Sequence, residues 1–223
     1  MVSLAAVSYP SWKGYAADNQ IPIEIPAITG AGEPIAIERK AIEEFRRNLQ
    51  GRLLLPEDDG YNIARLVRNM VIDKRPALIA QCINNNDVIE SVNFARHYQL
   101  LTAVKCGGHS VSGKGTCDDG LIIDLSPLQG TSVDPTTQRI LITGGSLLSA
   151  LDEATVPLGL GTTAGTVSHT GVGGLTLGGG LGRLGSQFGL TIDNLKSVDI
   201  VTADWQMRYA DAPEKSELFW AAR

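Results

Sequence analysis

Between Ile35 and Leu49 the apolar positions Ile35, Ile37, Ala41, Ile42, Phe45 and Leu49 recur among charged residues at a helical period. Such a stripe predicts an amphipathic helix. Pro56-Glu57-Asp58-Asp59-Gly60 is a turn signal, and Tyr61 to Met70 reads as a short helix. The pattern then changes. Short unbroken apolar runs at Pro76–Ala80, Leu100–Val104 and Leu121–Leu125 predict buried strands, and Arg139–Thr143 predicts another. Between the first two runs, Asp87–Tyr98 is helical, with Val88, Ile89, Val92, Phe94 and Ala95 inward and Asn85 or Asn86 as its cap. Strand, helix and strand together make a βαβ unit. Ser146 is the expected cap of a helix running to about Val156 and ended by Pro157 and Gly159. Residues 1–35 carry Pro10, Pro22, Pro26 and Pro34 without periodicity and read as a loose N-terminal arm; residues 36–223 read as a domain of mixed helix and strand, an α+β fold.

Composition narrows the function classes. A chain of 223 residues that is 43% hydrophobic can bury a core. Its net charge of −5 gives no electrostatic support to nucleic-acid binding. No apolar run is long enough to span a membrane, and the N-terminus lacks a signal-peptide pattern. The odd set Cys82, Cys106 and Cys117 argues against a disulfide framework and fits a reducing compartment, so the reading is a soluble protein with the cytoplasm favoured. Cys106, His109 and Cys117 could be imagined as metal ligands, but no Cys-x-x-Cys pair or second histidine pair completes a tetrahedral set, and no metal is expected.

The glycines carry the chemistry. One cluster follows the strand ending near Lys105 and reads Lys105-Cys106-Gly107-Gly108-His109-Ser110-Val111-Ser112-Gly113, with Gly115 and Gly120 beyond it. Successive N–H groups in such a turn form a concave anion site, and glycine lets a ligand approach the main chain. His109 adds a reactive side chain at the tip. A second cluster runs from Gly159 to Gly189 and contains the literal GxGxxG Gly180-Leu181-Gly182-Arg183-Leu184-Gly185. A nicotinamide-binding fingerprint needs a long helix after it. Here Ser186 to Asn194 follows, with Gly189, β-branched residues and Asp193-Asn194, so that reading is rejected even though Asp199 lies near the spacing where an acidic residue would be wanted.

These motifs resemble the vanillyl-alcohol-oxidase/berberine-bridge-enzyme superfamily of FAD-linked oxidases. The family's loop, Arg/Lys-x-Gly-Gly-His-Ser-x-x-Gly, is matched by Lys105, Gly107, Gly108, His109, Ser110 and Gly113. Its glycine run is matched by Gly171, Gly173, Gly174, Gly178, Gly179, Gly180 and Gly182, followed by Gly189-Leu190, Asp193-Asn194, Val198–Asp204 and Glu217–Arg223. The resemblance implies a PCMH-type FAD-binding domain of two small α/β subdomains. It implies FAD joined covalently through His109, with contacts from Lys105, Cys106, Gly107, Gly108, Ser110, Gly113, Gly165, Thr166, His169, Gly171, Val172, Gly174, Gly178, Gly179, Gly182, Asn194 and Ile200. Some relatives attach the flavin a second time through a cysteine. Val167 falls at that position here, so attachment through His109 alone is expected. The implied reaction oxidises a C–H next to oxygen or nitrogen of a small-molecule substrate, with molecular oxygen or another acceptor taking the electrons. Family members continue past the Leu-Phe-Trp-Ala segment into a substrate-binding domain, so the alternative is a flavin-binding fragment that needs a C-terminal half or a second chain. No catalytic base can be named, and a non-catalytic interaction domain is disfavoured by the stability that two long glycine loops cost.

Overall fold

A computed structural model describes residues 21–223. The chain enters as an antiparallel hairpin of β1 (Glu24–Ile28) and β2 (Pro34–Glu38), followed by helix α1 (Arg39–Asn48) and strand β3 (Arg52–Leu54). A single helical turn α2 (Tyr61–Ala64) precedes strand β4 (Leu78–Gln81), helix α3 (Asn85–His97), strand β5 (Thr102–Lys105) and strand β6 (Leu121–Asp124). The central sheet has the order β3-β4-β6-β5, with β4, β5 and β6 parallel and β3 antiparallel at its edge.

At the centre of this sheet β4 and β6 are buried on both faces, as their unbroken apolar runs require, while β5 leaves Thr102 and Val104 exposed. Side chains alternate across it. Leu53, Leu78, Ala80, Leu121 and Ile123 face one way, onto Ile42 and Phe45 of α1, Ala95 of α3, and Ile25 and Ile37 of the hairpin. Leu54, Ile79, Ala103 and Ile122 face the other way, onto Tyr61 and Cys117. The Tyr61 hydroxyl is satisfied by donating to the Pro76 carbonyl at 2.6 Å. Phe45 stacks on Phe94 with centroids 4.2 Å apart, joining α1 to α3.

Several expectations are corrected. Residues 21–35 are not a loose arm: β1 and β2 alternate buried and exposed positions, and Leu101 N donates to Ile28 O at 2.9 Å, fixing the hairpin to the start of β5. Residues 1–20 of the expected arm lie outside the described residues. Strand β2 takes the beginning of the helix expected from Ile35, so α1 starts at Arg39. The helix expected over 61–70 stops at Ala64. The βαβ unit exists as β4-α3-β5, but β6 lies between its two strands. The cap of α3 is Asn84, whose side chain accepts from Asp87 N at 3.0 Å, rather than Asn85 or Asn86.

Beyond β6 come the hairpin β7 (Thr131–Asp134) and β8 (Arg139–Ile142), helix α4 (Leu148–Thr155), the short helices α5 (Val172–Leu177) and α6 (Gly185–Phe188), the hairpin β9 (Ser197–Val201) and β10 (Met207–Asp211), and helix α7 (Ser216–Ala221). Strands β7 and β10 were not foreseen. Ser146 does not cap α4. It is fully buried, and its hydroxyl accepts from Gly130 N and bonds Thr143 Oγ1 at 2.9 Å, closing the base of the β7–β8 hairpin. The expected stop holds: Pro157 sits in a final tight turn and Gly159 follows with a left-handed backbone. Trp205, in the β9–β10 turn, receives the Arg96 guanidinium at 4.4 Å from its ring centroid, tying that hairpin to α3.

Asp87, on the inner face of α3, organises the junction between α1, β3 and β4. It is fully buried, and its carboxylate accepts from Gln50 N, Gly51 N and Ile83 N at 2.8, 3.1 and 2.9 Å. Substituting Asp87→Ala strands three main-chain donors and is expected to destabilise the protein by about 3 kcal/mol in urea unfolding.

Candidate functional site

The site begins where β5 and β6 end. Register places Lys105 opposite Asp124, and Gln81 on the other side of Asp124. Lys105 Nζ lies 3.4 Å from Asp124 Oδ2 and donates to the Ala64 carbonyl, while Gln81 Nε2 donates to Asp124 Oδ2 at 3.3 Å. Both charges are almost completely buried. A cavity of about 270 Å³ opens beside them, rimmed by Arg52, Asp59 and Ser126. Lys105 is thus engaged with protein groups rather than free to meet a ligand.

The loop after Lys105 is clamped from outside by residues 64–72. Arg68 N donates to Gly108 O at 3.0 Å, and Asn69 Nδ2 to Val111 O at 2.8 Å. Ile72 packs so closely under Gly113 that a Cβ there would lie 2.8 Å from its Cγ2. Gly108 and Gly113 both hold left-handed backbone, with φ of 68° and 73°. Ser110 closes the tip by accepting from Lys114 N at 3.1 Å. Among the described residues, no N–H from Gly107 to Ser112 donates to a main-chain carbonyl. Clamping residues such as Arg68, through its main chain, and Asn69, through its side chain, were missed from the sequence, because no local pattern marks a residue that acts on a loop elsewhere.

The second loop, Gly161 to Gly171, is equally short of internal bonds. Among the described residues, the N–H groups from Gly161 to His169 donate to no main-chain carbonyl. It is anchored at its end, where Leu148 N donates to Thr170 O and Val172 N to Ser146 O. Thr163 is fully buried in it, and its hydroxyl has no hydrogen-bond partner among the described residues.

The two loops meet main chain to main chain. A Cβ on Gly107 would collide with the backbone of Gly171, and a Cβ on Gly171 with Cys106 Sγ and Gly107 N. Cys106 lies in this seam, its Sγ 3.7 Å from Ser146 O, and burial pushes its thiol up, so it packs as a neutral group. At the seam's outer end His109 Nε2 lies 2.7 Å from His169 Nδ1, with the rings stacked at 4.7 Å between centroids. His109 is half-buried and His169 exposed. Burial holds the His109 imidazole below its usual value, and His169 and the Arg68 guanidinium act in the same direction.

The structure therefore brings Lys105 to Gly113 together with His169, Gly171 and Val172. Other expected positions serve the fold in ways that the sequence did not separate from ligand contact. Gly165 packs under Leu175 and Leu148, and Gly178 sits against Gly174 O. Gly182 abuts the Ala164 carbonyl, and Gly179 has φ of 100°. Asn194 donates its amide to the Phe188 and Leu190 carbonyls, and Ile200 lies in β9 opposite Arg208. Thr166 is exposed, and Gly174 looks onto open space. The GxGxxG stretch is followed by a helix of only 4 residues, α6, which agrees with rejecting a dinucleotide fingerprint there. No cluster of three or more metal-ligating side chains exists among the described residues, and no described helix is long and apolar enough to cross a membrane.

Comparison with known proteins gives this geometry its class. The model of the FAD binding domain family matches residues 76–208. An FAD-linked oxidoreductase of Dictyostelium discoideum is 36% identical over 83% of this chain and 37% of its own length. The crystal structure of 6-hydroxy-D-nicotine oxidase from Arthrobacter nicotinovorans superposes with a TM-score of 0.77 at 34% identity, covering 78% of this chain and 39% of that one. Glucooligosaccharide oxidase from Acremonium strictum, described as carrying a 6-S-cysteinyl, 8α-N1-histidyl FAD, superposes at 0.75 with 28% identity over 82% of this chain and 39% of its own. The chain belongs to the FAD-binding domain family of FAD-linked oxidases, and FAD is the cofactor that family binds. It spans about two fifths of the length of the curated relatives it matches.

The residues present fit such a cofactor. Two facing loops whose N–H groups donate to no main-chain carbonyl among the described residues suit an anionic diphosphate, and the open face of Gly174 leaves room beside them. Two outcomes are expected. Substituting Gly171→Ala forces the seam apart and is expected to destabilise the protein by about 2 kcal/mol in urea unfolding, with loss of FAD retention on gel filtration. In an NMR titration, His109 takes up its proton below the 6.5 of an ordinary imidazole. Because the unfolded chain then binds more protons than the folded one, stability falls as pH drops through 6.5 toward the folded value, and His109→Ala flattens that fall.

Proposed function

We propose that this chain is the flavin-binding part of an FAD-linked oxidase and that His109 carries the flavin covalently. The single observation behind this reading is the seam where the Lys105–Gly113 loop meets the Gly161–Gly171 loop, with His109 at its end. The domain proposed to hold the cofactor is residues 36–223 together with the β1–β2 hairpin, whose Ile25, Ala27 and Ile37 belong to the same core.

In this reading the N–H groups of Gly107 to Ser112 and of Gly161 to His169 bind the diphosphate and neighbouring polar atoms. Gly165, Thr166, Gly171, Val172, Gly174, Gly178, Gly179 and Gly182 line the cofactor's course, and Asn194 and Ile200 complete it. The glucooligosaccharide oxidase structure, with its histidyl flavin, supports the attachment residue type. Val167 occupies the place where the second, cysteinyl bond would need sulfur, so His109 is the sole attachment. Cys106 does not substitute for it, since its thiol is buried and held neutral. FAD, when bound, supplies the acceptor for two electrons and a hydrogen from a substrate C–H next to oxygen or nitrogen. The protein's own residues bind and orient it and exclude water from one side.

A second reading follows from the length comparison. Because the chain spans about two fifths of its relatives, the substrate-facing part, and the acid or base that works there, come from further sequence or a second chain. Flavin-loaded protein that turns over small-molecule substrates only after such a part is added would favour it. The test of the main reading is acid precipitation with intact mass analysis. Yellow colour is expected to stay in the pellet with a mass increase equal to FAD in the wild type, and to leave it in His109→Ala. Colour released by the wild type would overturn the covalent bond, and failure to bind FAD at all would overturn the site.

A further inference from the structure

The β9–β10 hairpin carries Ile200, yet its strands bury little. Of the 5 residues in each strand, only Ala210 is buried. A two-stranded ribbon by itself is marginally stable in water, so its place depends on what fastens it to the rest of the protein. Its turn is stiff. Trp205 N donates to Thr202 O at 2.8 Å, and Thr202 N donates to Gln206 O at 3.0 Å. Asp204 accepts from the Thr202 hydroxyl and pairs with the Arg208 guanidinium. This stiff turn holds Trp205 at φ of 55°, in the left-handed region where hairpin turns of this kind favour glycine. A bulky residue there carries a backbone cost that surrounding contacts must offset.

The contact that does so comes from α3. The half-buried Trp205 ring receives the exposed Arg96 guanidinium at 4.4 Å from its centroid. Arg96 stands in the last turn of α3, between groups that are themselves fixed: Phe94 stacks on Phe45 of α1, and Ala95 is packed into the core under the central sheet. Resting on the reading that Ile200 borders the cofactor's course, we propose that Arg96 and Trp205 are positioning residues for FAD: their contact clasps the β9–β10 hairpin to α3 and so holds β9 in place for the cofactor.

Two further observations support it. The turn closes without the indole, through main chain and through Thr202, Asp204 and Arg208, so the ring serves a contact outside the turn. The clasp also joins the two halves of the site. Helix α3 leads into β5, from whose end the Lys105–Gly113 loop hangs, whereas β9 follows the second glycine run by way of Asn194. Fastening α3 to the β9–β10 turn therefore fixes one side of the cofactor's course relative to the other.

The test uses the full chain in a His109→Ala background, so that FAD is held without a covalent bond. Two rates are read: release of FAD on dilution, followed by flavin fluorescence, and native-state hydrogen exchange of the β9 amides. Arg96→Ala is expected to speed both by about fivefold, the size of a cation–π contact at a partly exposed site, while the amides of β4 and β6 keep their protection. Arg96→Lys returns a cation to the ring and is expected to recover most of the loss, whereas the uncharged Arg96→Gln is not. Trp205→Gly suits the left-handed turn, so the fold survives, yet it is expected to release FAD as fast as Arg96→Ala. Adding Arg96→Ala to it is expected to change nothing further. Unchanged β9 exchange in Arg96→Ala, or effects of the two substitutions that simply add, overturns the clasp. Faster β9 exchange with FAD release unchanged overturns its role for the cofactor while leaving the reading of the site intact. A His109→Ala protein that binds no FAD overturns the reading of the glycine loops as the cofactor's cradle, and the positioning role with it; the exchange rates then report on the clasp alone.

Discussion

The buried pair of Lys105 and Asp124 is the interaction on which the site depends. Charges this deeply enclosed are stable only when each has its partner, and removing one member of such a pair typically costs about 3–5 kcal/mol. Here the pair has a positional consequence. It fixes the last residue of β5 against the last residue of β6, with Gln81 of β4 completing the row. The same ammonium reaches the carbonyl of Ala64 and so holds the segment that clamps the glycine loop through Arg68, Asn69 and Ile72. One ion pair therefore sets both where the loop starts and what presses on it from outside.

The glycines answer a different constraint from the one their number suggests. At Gly107, Gly171, Gly173 and Gly182 the atom that forbids a side chain belongs to another stretch of this chain. Main chain packs on main chain, and the N–H groups of Gly108 to Ser112 and Gly161 to His169 are left without a main-chain carbonyl partner among the described residues. A scaffold of this kind presents polar hydrogens without presenting side chains, which suits a ligand recognised along its length.

Much of the arrangement could be read from the residues alone. Strands β4 and β6 announced themselves as unbroken apolar runs because both of their faces are covered, and the Gly-Gly-His-Ser loop and the later glycine run identified the family in combination. The β1–β2 hairpin was illegible because Pro26 and Pro34, tolerated on the edges of a two-stranded sheet, look like breakers in a linear reading. The cap of α3 was misplaced by one residue among three consecutive asparagines, which only geometry can separate. Ser146 looked like a cap because hydroxyls before helices usually are, yet tertiary contact with Gly130 and Thr143 claimed it first. The family resemblance named His169 as a flavin contact; its pairing with His109 brings together positions 60 residues apart, and no local pattern spans that distance.

That separation says something about the order of events in the life of the chain. The seam itself needs both loops, since the backbone of each lies where a side chain on the other's glycine would go. The first loop hangs from a sheet whose last strand ends at Asp124, whereas the second waits for α4 and the β7–β8 hairpin behind it. Closing so distant a contact is slow relative to local structure. If the seam holds the flavin as proposed, capture of the cofactor belongs to the finished tertiary structure and is denied to a half-folded one.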